Sequence, residues 1–134
     1  MPSNVIYPNA KQHMLSGNVD LTGTIYVTLI SSSYSYSAGH EFYDPIVAAH
    51  QVGSTGSLIS QTLLSGTLDG ADLTFSSVAA GSSVTSVIVF QSGTAGSSDY
   101  LVAHYDTGSE GAVSIDTNGG DITVNWNASG LFSL

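Results

Sequence analysis

The sequence predicts an all-β fold, a single-domain sandwich, jelly roll or partly closed barrel of about seven to eight short strands with one or two short helices. Three observations predict it. Apolar, β-branched and aromatic residues gather into runs of strand length. Glycine, serine and asparagine separate those runs. The only plausible helices are short, and no internal repeat of fixed period is evident.

The first helix is expected from Pro8 to Ser16, ended by Gly17. A second, of a turn or two, is expected near Asp44-Pro45, where Asp can cap and Pro can take the first helical position. Neither is long enough to organise the fold. Thr24 to Ile30 alternates Ile25, Val27 and Leu29 with Tyr26, Thr28 and Ile30, which reads as a strand with one face in the core. Val84 to Gln91 carries the continuous run Val87-Ile88-Val89-Phe90, as expected of a central strand covered on both faces. Tyr100 to Tyr105 and Asp121 to Trp126 alternate again, the second bringing Ile122, Val124 and Trp126 together opposite Thr123 and Asn125. Asn118-Gly119-Gly120 tolerates positive φ and suits a tight turn into the Asp121 strand. Weaker strands are expected at Ser57 to Leu64, Leu68 to Phe75, Ala112 to Ile115 and Leu131 to Leu134.

Residues 1–134 therefore read as one β domain, with 1–23 an N-terminal arm carrying the short helix and 31–56 a long, aromatic-rich connection. Gly and Ser are spread along the chain and mark no linker. A hydrophobic fraction of 42% separates the sequence from disordered compositions.

Charge narrows the function classes. Lys11 is the sole Lys or Arg against ten acidic residues, giving a net charge of -9, and only 8% of residues are charged. Nucleic-acid affinity comes largely from Lys and Arg neutralising phosphates, so DNA, RNA and anionic membranes are not expected partners. With zero cysteines, disulfides, thiol catalysis and thiolate metal sites are excluded. The start Met1-Pro2-Ser3-Asn4 shows no charged leader followed by an apolar run, and nothing approaches about 18 consecutive apolar residues, so neither export signal nor membrane anchor is expected.

No pattern of catalytic spacing stands out, and the chain is expected not to be an enzyme. Ser, His and Asp are present, but no Gly-x-Ser-x-Gly elbow occurs and nothing pairs a particular serine with a particular histidine. His40-Glu41-x-x-Asp44 with His50 holds metal-ligating types, yet adjacent residues on irregular chain do not converge by spacing, and a capped loop explains them better. Asp116 to Asp121 superficially resembles a calcium loop, but Asn127 stands where a bidentate Glu is needed, and a hairpin turn is the better account. Asn127-Ala128-Ser129 matches a glycosylation sequon, of no consequence without an export signal. Gly53-x-x-Gly56 and Gly93-x-x-Gly96 lack the lysine and helix start of a phosphate cradle. Asp69-x-x-Asp72 reads as solvated turn residues. No catalytic, cofactor or metal residues are assigned, and no cofactor is expected.

One cluster rises above this background. Tyr34, Tyr36, Phe42 and Tyr43 place four of the twelve aromatic residues within ten positions, among Ser35, Ser37 and Gly39. Tyrosine beside small polar residues offers rigid amphipathic area with adaptable hydrogen bonding, a composition suited to a contact surface. The same residues could fold back and cap the core.

Over nearly its whole length the chain resembles a family of small virion structural proteins of tailed bacteriophages. The resemblance runs through Tyr7-Pro8-Asn9-Ala10-Lys11 to Met14-Leu15-Ser16-Gly17-Asn18-Val19-Asp20, then Thr24-Ile25-Tyr26-Val27-Thr28-Leu29. It continues through Tyr36 to His40-Glu41-Phe42 and Asp69-Gly70-Ala71-Asp72-Leu73-Thr74-Phe75. Its most distinctive part is Asn118-Gly119-Gly120-Asp121-Ile122-Thr123-Val124-Asn125-Trp126 to Gly130-Leu131-Phe132-Ser133-Leu134. It implies a β-rich capsid cement or decoration protein without an active site, made in the host cytoplasm and assembled on the capsid exterior. The partners it implies are the major capsid protein and further copies of the chain, as a homotrimer or other homo-oligomer. The charge of -9 agrees with an exterior position, away from packaged DNA. The alternative expectation is a tail or head-fibre adhesin module that binds host-surface glycans through the Tyr34 to Tyr43 segment.

Overall fold

The computed structural model describes residues 4–17, 24–35, 39, 50–58, 60–65, 67–91, 100–108, 111–112, 114–124, 126 and 132–133. In chain order its elements are β1 (Asn4–Ile6), α1 (Pro8–Ser16), β2 (Ile25–Ser31), β3 (Gln51–Ser57), β4 (Thr62–Leu64), β5 (Thr67–Asp69) and β6 (Leu73–Phe75). They continue with β7 (Ser83–Gln91), β8 (Tyr100–Tyr105), β9 (Thr107–Gly108), β10 (Gly111–Ala112), β11 (Ile115–Asp116), β12 (Ile122–Val124) and β13 (Phe132–Ser133). The expected all-β class holds.

The main sheet is antiparallel in the order β1-β8-β7-β2-β3, with β7 at its centre as the unbroken apolar run of Val87 to Phe90 requires. After β8 the chain makes the small β9-β10 hairpin and returns as β11. Val84 pairs with Ser31 of β2 on one side and with Ile115 of β11 on the other, so β11 extends the edge that β8 began. The register of β7 against β8 shifts between Val89 and Phe90, leaving Val102 as a bulge residue opposite this break.

Both faces of this sheet are buried. On one side Ile25, Val27 and Leu29 of β2 join Val87 and Val89 of β7 in a core closed by Leu58, Leu68, Phe75, Val78 and Ile122. Leu68, Phe75 and Ile122 come from two smaller antiparallel sheets, β13-β5-β4 and β12-β6, which form the second layer of the sandwich, while Leu58 and Val78 lie just beyond β3 and β6. On the other side Ile30, Ile88, Phe90 and Leu101 pack with Tyr7, Ala10 and Tyr34.

That second cluster corrects two expectations. The face of β2 carrying Tyr26, Thr28 and Ile30 was expected to be the uncovered one, yet Thr28 and Ile30 are fully buried. The covering element is α1, which occupies the expected residues and thus does organise part of the fold. Pro8 starts it, and Gly17 ends it in the left-handed conformation at φ 84°, its N–H donating back to Met14 O. Ala10 lies against the sheet, and Met14 reaches both apolar clusters. The arm is tied at its root by β1 on β8 and by Tyr7 N–H donating to Val102 O at 3.0 Å.

The connection expected over 31–56 ends earlier, because Gln51–Ser57 is β3, paired with β2 from Tyr26 to Ile30. Its two glycines hide it from strand propensity, and one of them has a packing reason. A Cβ on Gly56 would lie 2.8 Å from Leu73 Cδ2 and 3.2 Å from Phe75 Cε1, so only a glycine lets β3 sit this close to β6. The strand expected from Leu68 to Phe75 is in fact two. The chain turns a corner at Gly70, where a Cβ would meet Leu58 Cδ1 at 2.6 Å, and passes from one small sheet to the other. Trp126 fastens this corner: its indole Nε1 donates to Ala71 O at 3.0 Å and its backbone N to Asp72 Oδ1 at 2.9 Å. Asn118 to Gly120 is likewise no hairpin turn, since β11 pairs with β7 in the main sheet and β12 with β6 in the second layer. The second expected helix, near Asp44-Pro45, lies outside the described residues.

Candidate functional site: the root of the aromatic connection

Of the four expected contact residues, Tyr34 is the one the structure describes, and it belongs to the core. It is 9% exposed and packs in the cluster beneath α1. Tyr36, Phe42 and Tyr43 lie outside the described residues. The core-cap alternative therefore applies to Tyr34.

The local chain explains its position. β2 ends at Ser31, and the backbone turns so that Tyr34 N–H donates to Ser31 O at 3.2 Å, directing the ring inward. Its hydroxyl meets the hydroxyl of Tyr7 at 2.8 Å in a buried pair. Tyr7 immediately precedes α1 and makes no side-chain cap to that helix, its hydroxyl lying on Tyr34 instead. The Tyr34 ring also lies 5.9 Å from the ring of His104 and 5.7 Å from that of His50. Tyr7 meets His104 edge-on at 6.4 Å.

On the solvent side, Ser33 Oγ lies 2.7 Å from His50 Nδ1 and 2.7 Å from Ser31 Oγ. The sequence offered no way to pair a serine with a histidine; the fold does so. The two residues stand at opposite ends of the connection, so their bond closes its base as a clasp. Gly39, within the connection, accepts a bond from Asn9 Nδ2 of α1 at 3.4 Å through its carbonyl. Among the described residues no group of three or more His, Asp and Glu side chains is placed to hold a metal ion. His40, Glu41 and Asp44 lie outside the described residues.

The acidic residues considered as ligands serve as turn locks. Asp121 Oδ1 accepts from Ser77 N–H at 2.9 Å, Asp116 Oδ1 from Ser83 Oγ at 2.8 Å, and Asn118 Oδ1 from Gly120 N–H at 2.9 Å. Gly119, at φ 88°, donates to Val78 O, and Val78 N–H donates to Gly120 O. The loop that resembles a calcium site is thus stitched to residues 77–83. Asp69 Oδ1 likewise accepts from Gly70 N–H. These carboxylates hold the corners between layers, which sequence spacing does not reveal.

His104 is the buried titratable group of the cluster, 3% exposed. Burial, the larger effect, lowers its pKa below the ordinary 6.5, and the Asp106 carboxylate opposes that shift. The unfolded chain therefore takes up a proton near pH 6.5 while the folded chain stays neutral at this site. Stability contributed here is complete above pH 6.5 and is lost as pH falls through the folded-state value, by at most about 1.4 kcal/mol per pH unit. In denaturant titrations from pH 7.5 down to 5, wild type should lose more stability than His104→Gln over the same interval. Parallel curves would refute this assignment. Burial also raises the Tyr105 hydroxyl, which removes it as a phenolate nucleophile near neutrality.

No helix among the described residues is long and apolar enough to cross a membrane. Compared with known proteins, the chain matches no family model, no curated sequence and no solved structure.

Proposed function

We propose that the chain is a bacteriophage virion structural protein, a capsid cement or decoration protein that binds the outer shell and stabilises capsomers by protein–protein contact. The observation that carries the reading is the clasped root of the aromatic connection. A rigid sheet, filled on both faces, holds both ends of a Tyr- and Ser-rich segment through Tyr34 to Tyr7 and Ser33 to His50. Binding residues are often carried on a connection positioned by a rigid scaffold, which keeps the ordering cost of binding low. The net charge of -9 favours a place outside a DNA-filled shell. The reading includes the major capsid protein as partner, assembly as a homotrimer or other homo-oligomer, and no catalytic role.

Particles with and without the protein test it. Particles lacking it are expected to release their DNA at a lower temperature, and adding the purified protein should restore the original temperature at saturating occupancy. An unchanged release temperature would remove the cement role. Specific glycan binding that disappears in Tyr36→Ala would replace it with the adhesin reading.

A further inference from the structure

The β13-β5-β4 sheet ends in a strand without the usual guards. β4 is its last strand, and among the described residues nothing pairs with its outer side. All three of its residues are exposed, Leu63 at 47% and Leu64 at 77%. Native edge strands are commonly protected by lysine, proline, a bulge or an inward-pointing charge. Here the run Ser60-Gln61-Thr62-Leu63-Leu64-Ser65 contains no charge and no proline. Both ends of the run hold a non-glycine residue in the left-handed region, Ser60 at φ 54° and Ser65 at φ 52°. Such conformations are unfavourable for serine and persist where the surroundings impose them. They delimit a short extended edge.

Register and charge say what fits that edge. Leu63 stands opposite Leu68, which is buried, so Leu63 shares the face turned toward the core. Thr62 stands opposite Asp69 and Leu64 opposite Thr67, which puts Leu64 and the Asp69 carboxylate on the outer face. Asp69 is half-buried, and Asp72, which follows, is exposed. The chain's single Lys lies on α1, which covers the far side of the main sheet from these strands. A second copy of a chain carrying -9 is repelled from this edge, whereas a cationic chain is drawn to it.

We propose that β4 binds an extended, basic segment of a different protein, which adds antiparallel as a fourth strand. Main-chain bonds to β4 supply the attachment, and alternate side chains supply the selection. Side chains repeat every two residues along a strand, so the outer face reads an apolar residue opposite Leu64 and, two positions later, a Lys or Arg opposite Thr62. That cation lies two strand spacings, about 10 Å, from the Asp69 backbone, within reach of a long basic side chain. The recognised pattern is apolar-x-basic. Peptide addition at β4 does not depend on the virion role and involves none of the residues at the root of the aromatic connection.

The test is an amide chemical-shift titration of the intact protein with two synthetic hexapeptides, one carrying a valine and a lysine two positions apart among threonines and one with glutamate in place of that lysine. The lysine peptide is expected to shift the amides of residues 62–64 and 67–69, to bind at least ten-fold more tightly than the glutamate peptide, and to weaken as salt rises. Leu64→Lys, a charge placed on an exposed side chain, should leave the fold and the melting temperature unchanged while abolishing binding. Asp69→Asn should leave the valine contacts and remove most of the salt dependence. Shifts confined to other elements, equal binding of the two peptides, or undiminished binding by Leu64→Lys would each overturn the proposal. So would self-association by the free protein that Leu64→Lys disperses, since it would make a second copy the occupant.

Discussion

Replacing Tyr34 with alanine is expected to lower the unfolding free energy by about 3–5 kcal/mol, the range for removing a buried aromatic side chain. Tyr34 packs with Ile30, Ile88, Phe90 and Leu101, and its ring stands beside those of His104 and His50. Alanine leaves a cavity there and takes away the hydroxyl that Tyr7 meets at 2.8 Å. Tyr34→Phe keeps the packing and removes only that hydroxyl, so about 1–2 kcal/mol is expected. In a thermal melt the alanine variant should fall by about 10–20 °C and the phenylalanine variant by about 3–8 °C. The contact reading of Tyr36, Phe42 and Tyr43 expects the opposite pattern: weaker attachment to particles and an unchanged melting temperature. A Tyr34→Ala variant that melts with wild type would mean that the ring is not in the core and would return Tyr34 to the contact group.

The contrast between Tyr34 and its neighbours shows what the sequence carries. Composition located an unusual aromatic cluster but could not say which member turns inward, because that depends on a partner 27 positions away, Tyr7. The Ser33 to His50 clasp is hidden for the same reason: it spans 17 positions and has no local period. What was legible is what a strand or helix announces within itself. The Val87 to Phe90 run located the central strand, Tyr100 to Tyr105 was bounded correctly, and Pro8 with Gly17 bracketed the helix. The alternation of Ile122, Val124 and Trp126 gave the face that packs on the core. β3 was not legible, since Gly53 and Gly56 depress strand propensity while Gly56 serves the packing against β6. The corner at Gly70 was read through as continuous strand, because its cause is the nearness of Leu58 and the hold of Trp126, both set by tertiary structure. Alternation likewise assigned β2 one buried face, and it could not anticipate that a helix of nine residues covers the other.

Leu68→Ala and Leu101→Ala ask whether the two apolar clusters stand or fall together. Leu68 is 1% exposed and belongs to the core between the main sheet and the second layer, whereas Leu101 is fully buried under α1 on the opposite face. Each truncation is expected to cost about 2–5 kcal/mol. The clusters share the strands β2, β7 and β8, in which neighbouring residues point to opposite faces, as Ile88 and Val89 do. Loss of either layer uncovers apolar residues of the same three strands, so the sheet cannot keep one face folded while the other is exposed to water. Denaturant unfolding of each variant should therefore remain a single transition, with fluorescence from Trp126 in the second layer and far-ultraviolet dichroism from the whole chain moving together. The two leucines belong to separate clusters, so the double variant should lose the sum of the single losses to within about 0.5 kcal/mol. A first transition in Leu101→Ala that leaves the Trp126 signal intact would show that α1 and its cluster unfold on their own. The main sheet would then be held by its second layer alone.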